Sequence, residues 1–136
     1  MRRLLLGFVL IGVLGLCSCA AVLVGAGAGI GIAGYKFVEG QLEVSYIAPY
    51  DKVWQATKLA LSDLHITTEK VEKDAINAEI KAKKADGKMV IIKIKNKPSG
   101  MVWVGIRVGI FGDKDASMII KKAIDRRLGI SGKDVN

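Results

Sequence analysis

Two cysteines near the N-terminus, Cys17 and Cys19, are the residues whose type and spacing most clearly predict chemistry. A cysteine thiol of a secreted protein can accept a diacylglyceryl group, and the peptidase that then removes the signal needs a small residue directly before that cysteine. Ser18 is such a residue before Cys19, whereas Cys17 follows the bulky Leu16. We therefore predict acylation of Cys19 and loss of Cys17 with a signal peptide over residues 1–18.

The residues before these cysteines have the order of a secretory signal. Arg2 and Arg3 provide a positive start, and residues 4–16 carry no charge. A plain transmembrane anchor is the alternative, because residues 4–34 are uncharged and a spanning helix needs only about 20 apolar residues. That stretch is long for one helix, and glycine crowds its second half. We therefore favour a signal that ends at a lipid-modified cysteine.

Residues 20–34 form a glycine-rich apolar segment. Gly25 and Gly29 are four positions apart, as are Gly27 and Gly31, so a helix here would have a bare stripe suited to close helix packing. One interpretation is a short element that enters the bilayer or self-associates. The other is a flexible linker beneath the lipid anchor, since glycine destabilises helices in water. The sequence leaves both open.

The same segment contains a glycine pattern known from dinucleotide-binding proteins. Residues 29–34 fit this pattern, and Asp51 follows about twenty residues later. The motif requires a preceding strand and a following helix within a parallel unit, whereas these glycines follow the predicted lipid site and lead into strand-like sequence. We predict no bound cofactor.

Few other residues are candidates for catalysis or metal binding. His65 is the single histidine, and it stands where the first predicted helix ends, a place where histidine is favourable. Both cysteines lie at or before the lipid site, so the domain has neither a disulfide nor the ligands of an ordinary zinc site. Asp113 and Asp115 are interpreted as helix-start residues rather than as an acid pair. We expect no metal and no enzymatic activity.

Composition favours anionic partners outside the cytoplasm. The 136-residue chain has 21 basic and 13 acidic side chains and a formal net charge of +8, and cleavage would remove Arg2 and Arg3 and leave +6. Positive charge attracts anionic surfaces, which outside the cytoplasm are lipid headgroups or envelope polymers rather than nucleic acid. The hydrophobic content of 51% is inflated by the leader and does not indicate a membrane bundle.

Beyond residue 40, hydrophobic periodicity predicts a two-layer α+β domain in the order β-α-β-β-β-β-α. Strands are predicted near residues 42–48, 67–71, 76–82, 90–94 and 102–110, and helices over residues 49–64 and 115–128. Asp86 and Gly87 predict a tight turn, and Asp115 is the candidate N-cap of the second helix. That helix is expected to turn Ile119, Ile120, Ala123, Ile124 and Leu128 inward. We expect an antiparallel sheet of about five strands with both helices on one face.

The other face of the sheet is the candidate contact surface. Strand alternation places on it Lys81, Lys83, Ile91, Lys93, Lys95, Met101, Trp103, Arg107 and Phe111. Lysines beside a tryptophan can meet an anionic, partly apolar surface. We select Trp103, Arg107, Lys93 and Lys95 as the partner or lipid contacts, and we expect Gly105 and Gly109 to leave space there for a partner backbone. The alternative is a solvated face on which lysines prevent aggregation of the sheet.

Four features of the chain occur together: the lipid cysteine, the Ala/Gly-rich stretch, residues 49–57 (PYDKVWQAT) and residues 106–113 (IRVGIFGD). In these features the chain resembles a family of small bacterial lipoproteins whose domain has no assigned function. Similar members usually carry glycine near position 65, where this chain has His65. The resemblance implies an envelope location and an α+β domain but no known activity. More distantly, the element order looks like the helix-grip domains of an outer-membrane barrel-assembly lipoprotein, a likeness of fold alone.

These observations give one expectation for the whole chain. Residues 1–18 are a signal peptide, residues 19–40 an acylated glycine-rich tether, residues 41–130 the folded domain and residues 131–136 a polar tail. We expect a membrane-anchored envelope lipoprotein with a non-enzymatic binding or structural domain, whose partner is an envelope protein or an anionic lipid. The alternative is a lipid- or glycolipid-binding protein that uses the basic sheet face. Ala20, rather than aspartate, follows Cys19, which by resemblance to enterobacterial sorting implies the outer membrane, facing the periplasm.

Overall fold

One antiparallel sheet organises the domain, which a computed structural model describes over residues 30–130. Its strands are β1 (Gly31–Val38), β2 (Gln41–Ile47), β3 (Thr67–Lys73), β4 (Asn77–Lys83), β5 (Met89–Asn96) and β6 (Val102–Val108). Two helices, α1 (Tyr50–Asp63) and α2 (Lys114–Arg127), interrupt and follow the strands. The strand order in the sheet is β1-β2-β6-β5-β4-β3, with every neighbouring pair antiparallel.

The core lies between one face of this sheet and the two helices. Alternate residues of the central strands are fully buried beneath the helices, as Val44, Ile92 and Val104 illustrate. Their neighbours in each strand point to the other side, because successive side chains of a strand face opposite ways. α1 and α2 pack on each other and on the sheet. The predicted two-layer α+β architecture with both helices on one face is confirmed.

The structure has one strand more than the sequence predicted. β1 occupies Gly31–Val38, residues that were expected to belong to the tether, and it pairs with β2 along its length. Glu39 and Gly40 join the two strands with φ of 51° and 80°, the positive values that a two-residue hairpin turn requires. The folded domain therefore begins about ten residues earlier than the pattern of strands suggested.

The two helices end in the same way, and this explains the position of His65. After α1, His65 has φ of 55° and its N–H donates to the Ser62 carbonyl, while the next N–H donates to the Leu61 carbonyl. After α2, Gly129 has φ of 76° and the equivalent two hydrogen bonds form. Both are Schellman motifs, in which a left-handed residue follows the helix. His65 thus stands at a helix end, as predicted, in a conformation that favours glycine.

The start and the exposed face of α2 differ from the prediction. Asp113, not Asp115, is the N-cap, and its carboxylate accepts a 3.0 Å hydrogen bond from the Ala116 N–H. Asp115 lies in the first helical turn, where a carboxylate still favours the helix dipole. Ile119 was expected to face inward but is 56% exposed. The inward face is instead completed by Lys121, a polar residue that hydrophobic periodicity alone does not select.

The sheet has two ends that matter for the sites below. Gly31 pairs with Ile47, and the neighbouring Tyr46 pairs with Val102. The starts of β1 and β6 therefore lie together, at what we call the proximal end. The β1–β2 turn and the C-terminal end of β6 lie at the opposite, distal end. Eight residues of β1 separate the two ends, or about 26 Å at 3.3 Å per residue.

Four predicted features lie wholly or partly outside the described residues. They are the signal peptide over residues 1–18, the lipid site at Cys19, residues 20–29 of the glycine-rich segment and the polar tail over residues 131–136. Within residues 30–130, neither helix is long and apolar enough to cross a membrane.

Candidate binding surface

The face of the sheet opposite the helices, here called the outer face, contains the residues selected from the sequence. Trp103 pairs with Lys95, Gly105 with Lys93, and Arg107 with Ile91 across β5 and β6. The buried neighbours of these residues point toward the helices, so all of them share the outer face. Met101 and Phe111 were placed on this face as well, but both lie beyond the ends of β6.

Trp103 is a half-buried residue that lies across its own strand. A Cβ added to Gly105 would collide with the indole of Trp103 and with the side-chain amide of Gln41. Gly105 is therefore needed to let the indole lie flat, and the space expected at this position for a partner backbone is already filled. A Cβ added to Gly109, the other glycine of that prediction, would meet nothing within 4 Å. Lys95 places its Nζ atom 5.2 Å from the ring centroid, within the range of a cation–π contact.

The cations that β5 and β6 place on this face have no anionic partner in the described part of the chain. Within residues 30–130, Lys93, Lys95 and Arg107 have no carboxylate oxygen within 4.0 Å. Two glutamates on the neighbouring strands, Glu43 and Glu79, already form ion pairs with other lysines. Glu43 lies 3.5 Å from the Nζ of Lys36, and Glu79 lies 3.5 Å from the Nζ of Lys81. The central strands thus carry positive charge that is not neutralised within the face.

These residues form a strip rather than a pocket. Trp103 and Arg107 are four residues apart on β6, or about 13 Å along the strand. The Arg107 guanidinium lies over the β1–β2 turn, where a Cβ added to Gly40 would be 3.2 Å from an Nη atom. Lys93 and Lys95 run beside them on β5. A strip of cations beside a flat indole suits an extended anionic surface that also offers apolar contact.

Residues that could perform acid–base or metal chemistry are not brought together in the described part of the chain. No three His, Cys, Asp or Glu side chains in residues 30–130 are grouped as metal ligands. Asp113 is occupied as a helix cap, and the hydrogen bond from Ala116 lowers the pKa of its carboxyl. His65 lies at the end of α1, on the other layer from the strip.

Sequence reasoning missed a buried polar cluster between α2 and the first two strands. Lys121 and Asp125 form an ion pair with Nζ–Oδ2 of 2.8 Å, and their side chains are 2% and 7% exposed. Tyr46 donates a 2.7 Å hydrogen bond to the other oxygen of Asp125, and the Tyr35 ring covers the Lys121 ammonium with its centroid 4.6 Å away. Burial and the Asp125 charge raise the pKa of Tyr46. In the sequence, this cluster was indicated only by the i,i+4 spacing of Lys121 and Asp125 on the helix.

Comparison with known proteins identifies the family of the chain but no activity. Residues 2–127 match the family model described as Protein of unknown function (DUF3568). The match covers both helices, all six strands and the cysteine-containing segment before them. No curated protein is significantly similar to the chain in sequence. The chain belongs to the DUF3568 family of proteins of unknown function.

Proposed function

We propose that the protein is a lipid-anchored component of the bacterial envelope, and that its domain is a non-enzymatic binding module. The anchor is the acylated Cys19, and the location is the periplasmic side of the outer membrane. The order of charged, apolar and small residues before Cys19 supports the anchor. Two or more acyl chains make such an anchor stable, where a single chain gives only marginal binding.

The observation that carries the binding function is the unpaired charge on the outer face. Both helices cover the other face, so the strip of Lys93, Lys95, Trp103 and Arg107 is not covered by any described element. Domains in which cations only keep a sheet soluble can pair them with neighbouring carboxylates, as Lys81 does here with Glu79. The three unpaired cations beside an indole instead fit an anionic partner in the envelope.

Anchoring would make even a weak contact effective. Acyl chains confine the domain to one membrane, so partners at the same membrane meet it at a high effective concentration. The strip can then be the centre of a protein interface whose affinity in solution would be modest. This fits a tethering or structural role better than a catalytic one.

Crosslinking in living cells, followed by identification of the proteins that co-purify, tests the binding function. The Trp103→Ala/Arg107→Glu variant should lose the partners of the wild type, because it removes the ring and reverses one charge. The Lys122→Glu variant changes a charge on the exposed side of α2 and should keep them. Cys19→Ser provides the control that lacks the acyl chains. Unchanged partners in the Trp103→Ala/Arg107→Glu variant would eliminate the outer face as the contact.

A lipid- or glycolipid-binding function is the second candidate, and the indole beside Lys95 supports it, since indole rings favour membrane interfaces. Vesicles with and without anionic lipid distinguish the two functions. Under the second function, a chain beginning at Ile30, which keeps β1, would bind anionic vesicles in a salt-sensitive way, and the Trp103→Ala/Arg107→Glu substitutions would abolish that binding. Binding to neither kind of vesicle would favour the first function, in which the partner is a protein.

A further inference from the structure

Two apolar side chains protrude from the loop between β6 and α2. Phe111 is 91% exposed and Ile110 is 85% exposed, the highest values among the large hydrophobic residues in the described part of the chain. Ile110 was expected to continue the apolar row of β6, but the strand ends at Val108. We call residues Ile110–Phe111 the apolar tip.

The backbone on both sides of the tip is fixed by close contacts. Before it, the Gly109 N–H donates a 2.8 Å hydrogen bond to the Met89 carbonyl at φ of 75°. After it, Gly112 packs so closely on Gly40 that an added Cβ would collide with the Gly40 backbone. Asp113 then caps α2. These contacts hold the backbone of the loop in one conformation. The side chain of Phe111, which is 91% exposed, adds almost no packing to the domain.

We propose that the apolar tip inserts into the interface of the same bilayer that holds the acyl chains of Cys19. This inference rests on the proposed lipid anchor. A rigid loop that exposes a phenylalanine and an isoleucine can bury both among lipid headgroups and acyl chains without the cost of ordering the loop. Two lysines, Lys88 and Lys114, line the cleft of about 780 Å³ beside the tip. Lys88 lies 3.4 Å from the Asp113 carboxylate, whereas Lys114 forms no ion pair within residues 30–130 and can meet an anionic headgroup.

The size of the tip favours lipid over a protein partner. A phenylalanine offers roughly 150–250 Å², and an isoleucine somewhat less, so the tip can bury about 300–400 Å². A stable protein interface needs about 800 Å² on each partner. A domain that is already held at a membrane needs only a small second contact to fix its orientation.

The length of the chain before the domain allows this contact. The tip is at the distal end of the sheet, about 26 Å from Gly31, where β1 begins. Twelve residues lead from Cys19 to Gly31, and a chain of this length can reach about 40 Å. The distal end can therefore touch the membrane that anchors Cys19. In that orientation the strands stand on the membrane and the outer face looks sideways, where a partner can reach it.

Fluorescence quenching by brominated lipids tests the insertion on the full, acylated chain in vesicles. The mature chain has no other cysteine once Cys19 is acylated, so Phe111→Cys gives a single labelling site for a bimane probe. Ser99→Cys, on the exposed loop at the proximal end, is the matched control. We expect at least about twofold stronger quenching at position 111 than at position 99.

The outcomes separate the two proposals. A chain that floats with vesicles but shows equally weak quenching at both positions overturns the insertion and leaves the anchor standing. Strong quenching at both positions also overturns it, because the domain would then lie flat on the membrane. A chain that does not float with vesicles counts against the anchor and the insertion together.

Discussion

Tyr46 on β2 donates a 2.7 Å hydrogen bond to Asp125 on α2, a residue 79 positions later in the chain. The second oxygen of the same carboxylate lies 2.8 Å from the Nζ of Lys121. These buried groups join the second strand to the last helix at the point where β1 covers them with the Tyr35 ring. A charged group buried away from solvent needs a partner, so removal of one member of this cluster is costly.

Removing one member of the buried ion pair should destabilise the domain strongly. Lys121→Met leaves the Asp125 carboxylate buried without its cation, and we expect the free energy of unfolding to fall by about 3–5 kcal/mol. Urea denaturation measures the loss. Lys122→Met, which changes an exposed neighbour, should cost less than about 0.5 kcal/mol. Equal stability of the two variants would contradict the buried pair.

The stability of the domain should fall at alkaline pH because of Tyr46. Burial and the Asp125 charge raise the pKa of this phenol above its ordinary value of 10.0. A group whose pKa is higher in the folded state stabilises the fold fully below the unfolded pKa, so the contribution is lost as pH rises above 10. The expected loss is at most about 1.4 kcal/mol per pH unit.

Urea denaturation between pH 8 and 11 checks this dependence. Tyr46→Phe should be less stable than wild type at pH 8 but should lose less stability as pH rises. Tyr35→Phe, which removes a hydroxyl that makes no such bond to Asp125, should keep the wild-type dependence. Parallel curves of unfolding free energy against pH for Tyr46→Phe and wild type would contradict this role of Tyr46.

The two helix ends give a matched pair of substitutions. His65 pays the steric cost of a left-handed conformation that glycine avoids, so His65→Gly should stabilise the domain by about 0.5–1 kcal/mol. Gly129→Ala introduces the same cost at the end of α2 and should destabilise by a similar amount. Thermal unfolding of both variants measures the two shifts. Shifts of the same sign would show that the backbone conformation does not determine them.

The position of β1 sets where the domain begins. A chain that starts at Ile30 should unfold cooperatively, whereas one that starts at Gln41 should lose about 3 kcal/mol or more. The reason is that Ile32 and Phe37 pack on the core from β1, and Tyr35 covers the buried Lys121. Urea denaturation of the two shortened chains measures the difference. Equal urea midpoints of the two chains would show that residues 31–40 do not stabilise the domain and belong to the tether.

Periodicity predicted most of the fold because most strands bury one face. In β2, β4, β5 and β6 buried and outward residues alternate, which is the pattern that a half-buried strand produces. β1 has no such pattern, since it lies at the edge of the sheet and is mostly exposed. The Glu39–Gly40 turn between two runs of strand-forming residues was the local signal for it.

The sequence predicted which residues share the outer face, but not how their side chains are arranged there. Alternation placed Trp103, Lys93 and Lys95 on one face, and the register agrees. That the indole lies over Gly105, and so fills the space between the strands, depends on a side-chain orientation that no spacing encodes. The exposure of Ile110 was equally hidden, because β6 ends at Val108, before the end of its apolar row.

Mass spectrometry of the mature N-terminus, on protein extracted from cell membranes, tests the central claim most directly. The lipid anchor predicts an N-terminal peptide that begins at Cys19 and carries acyl chains, with the protein in the membrane fraction. Cys17→Ser should leave this product unchanged, and Cys19→Ser should abolish both cleavage and acylation. A wild-type chain that retains residues 1–18 without acyl groups, or an acylated N-terminal peptide that persists in Cys19→Ser, would contradict the account.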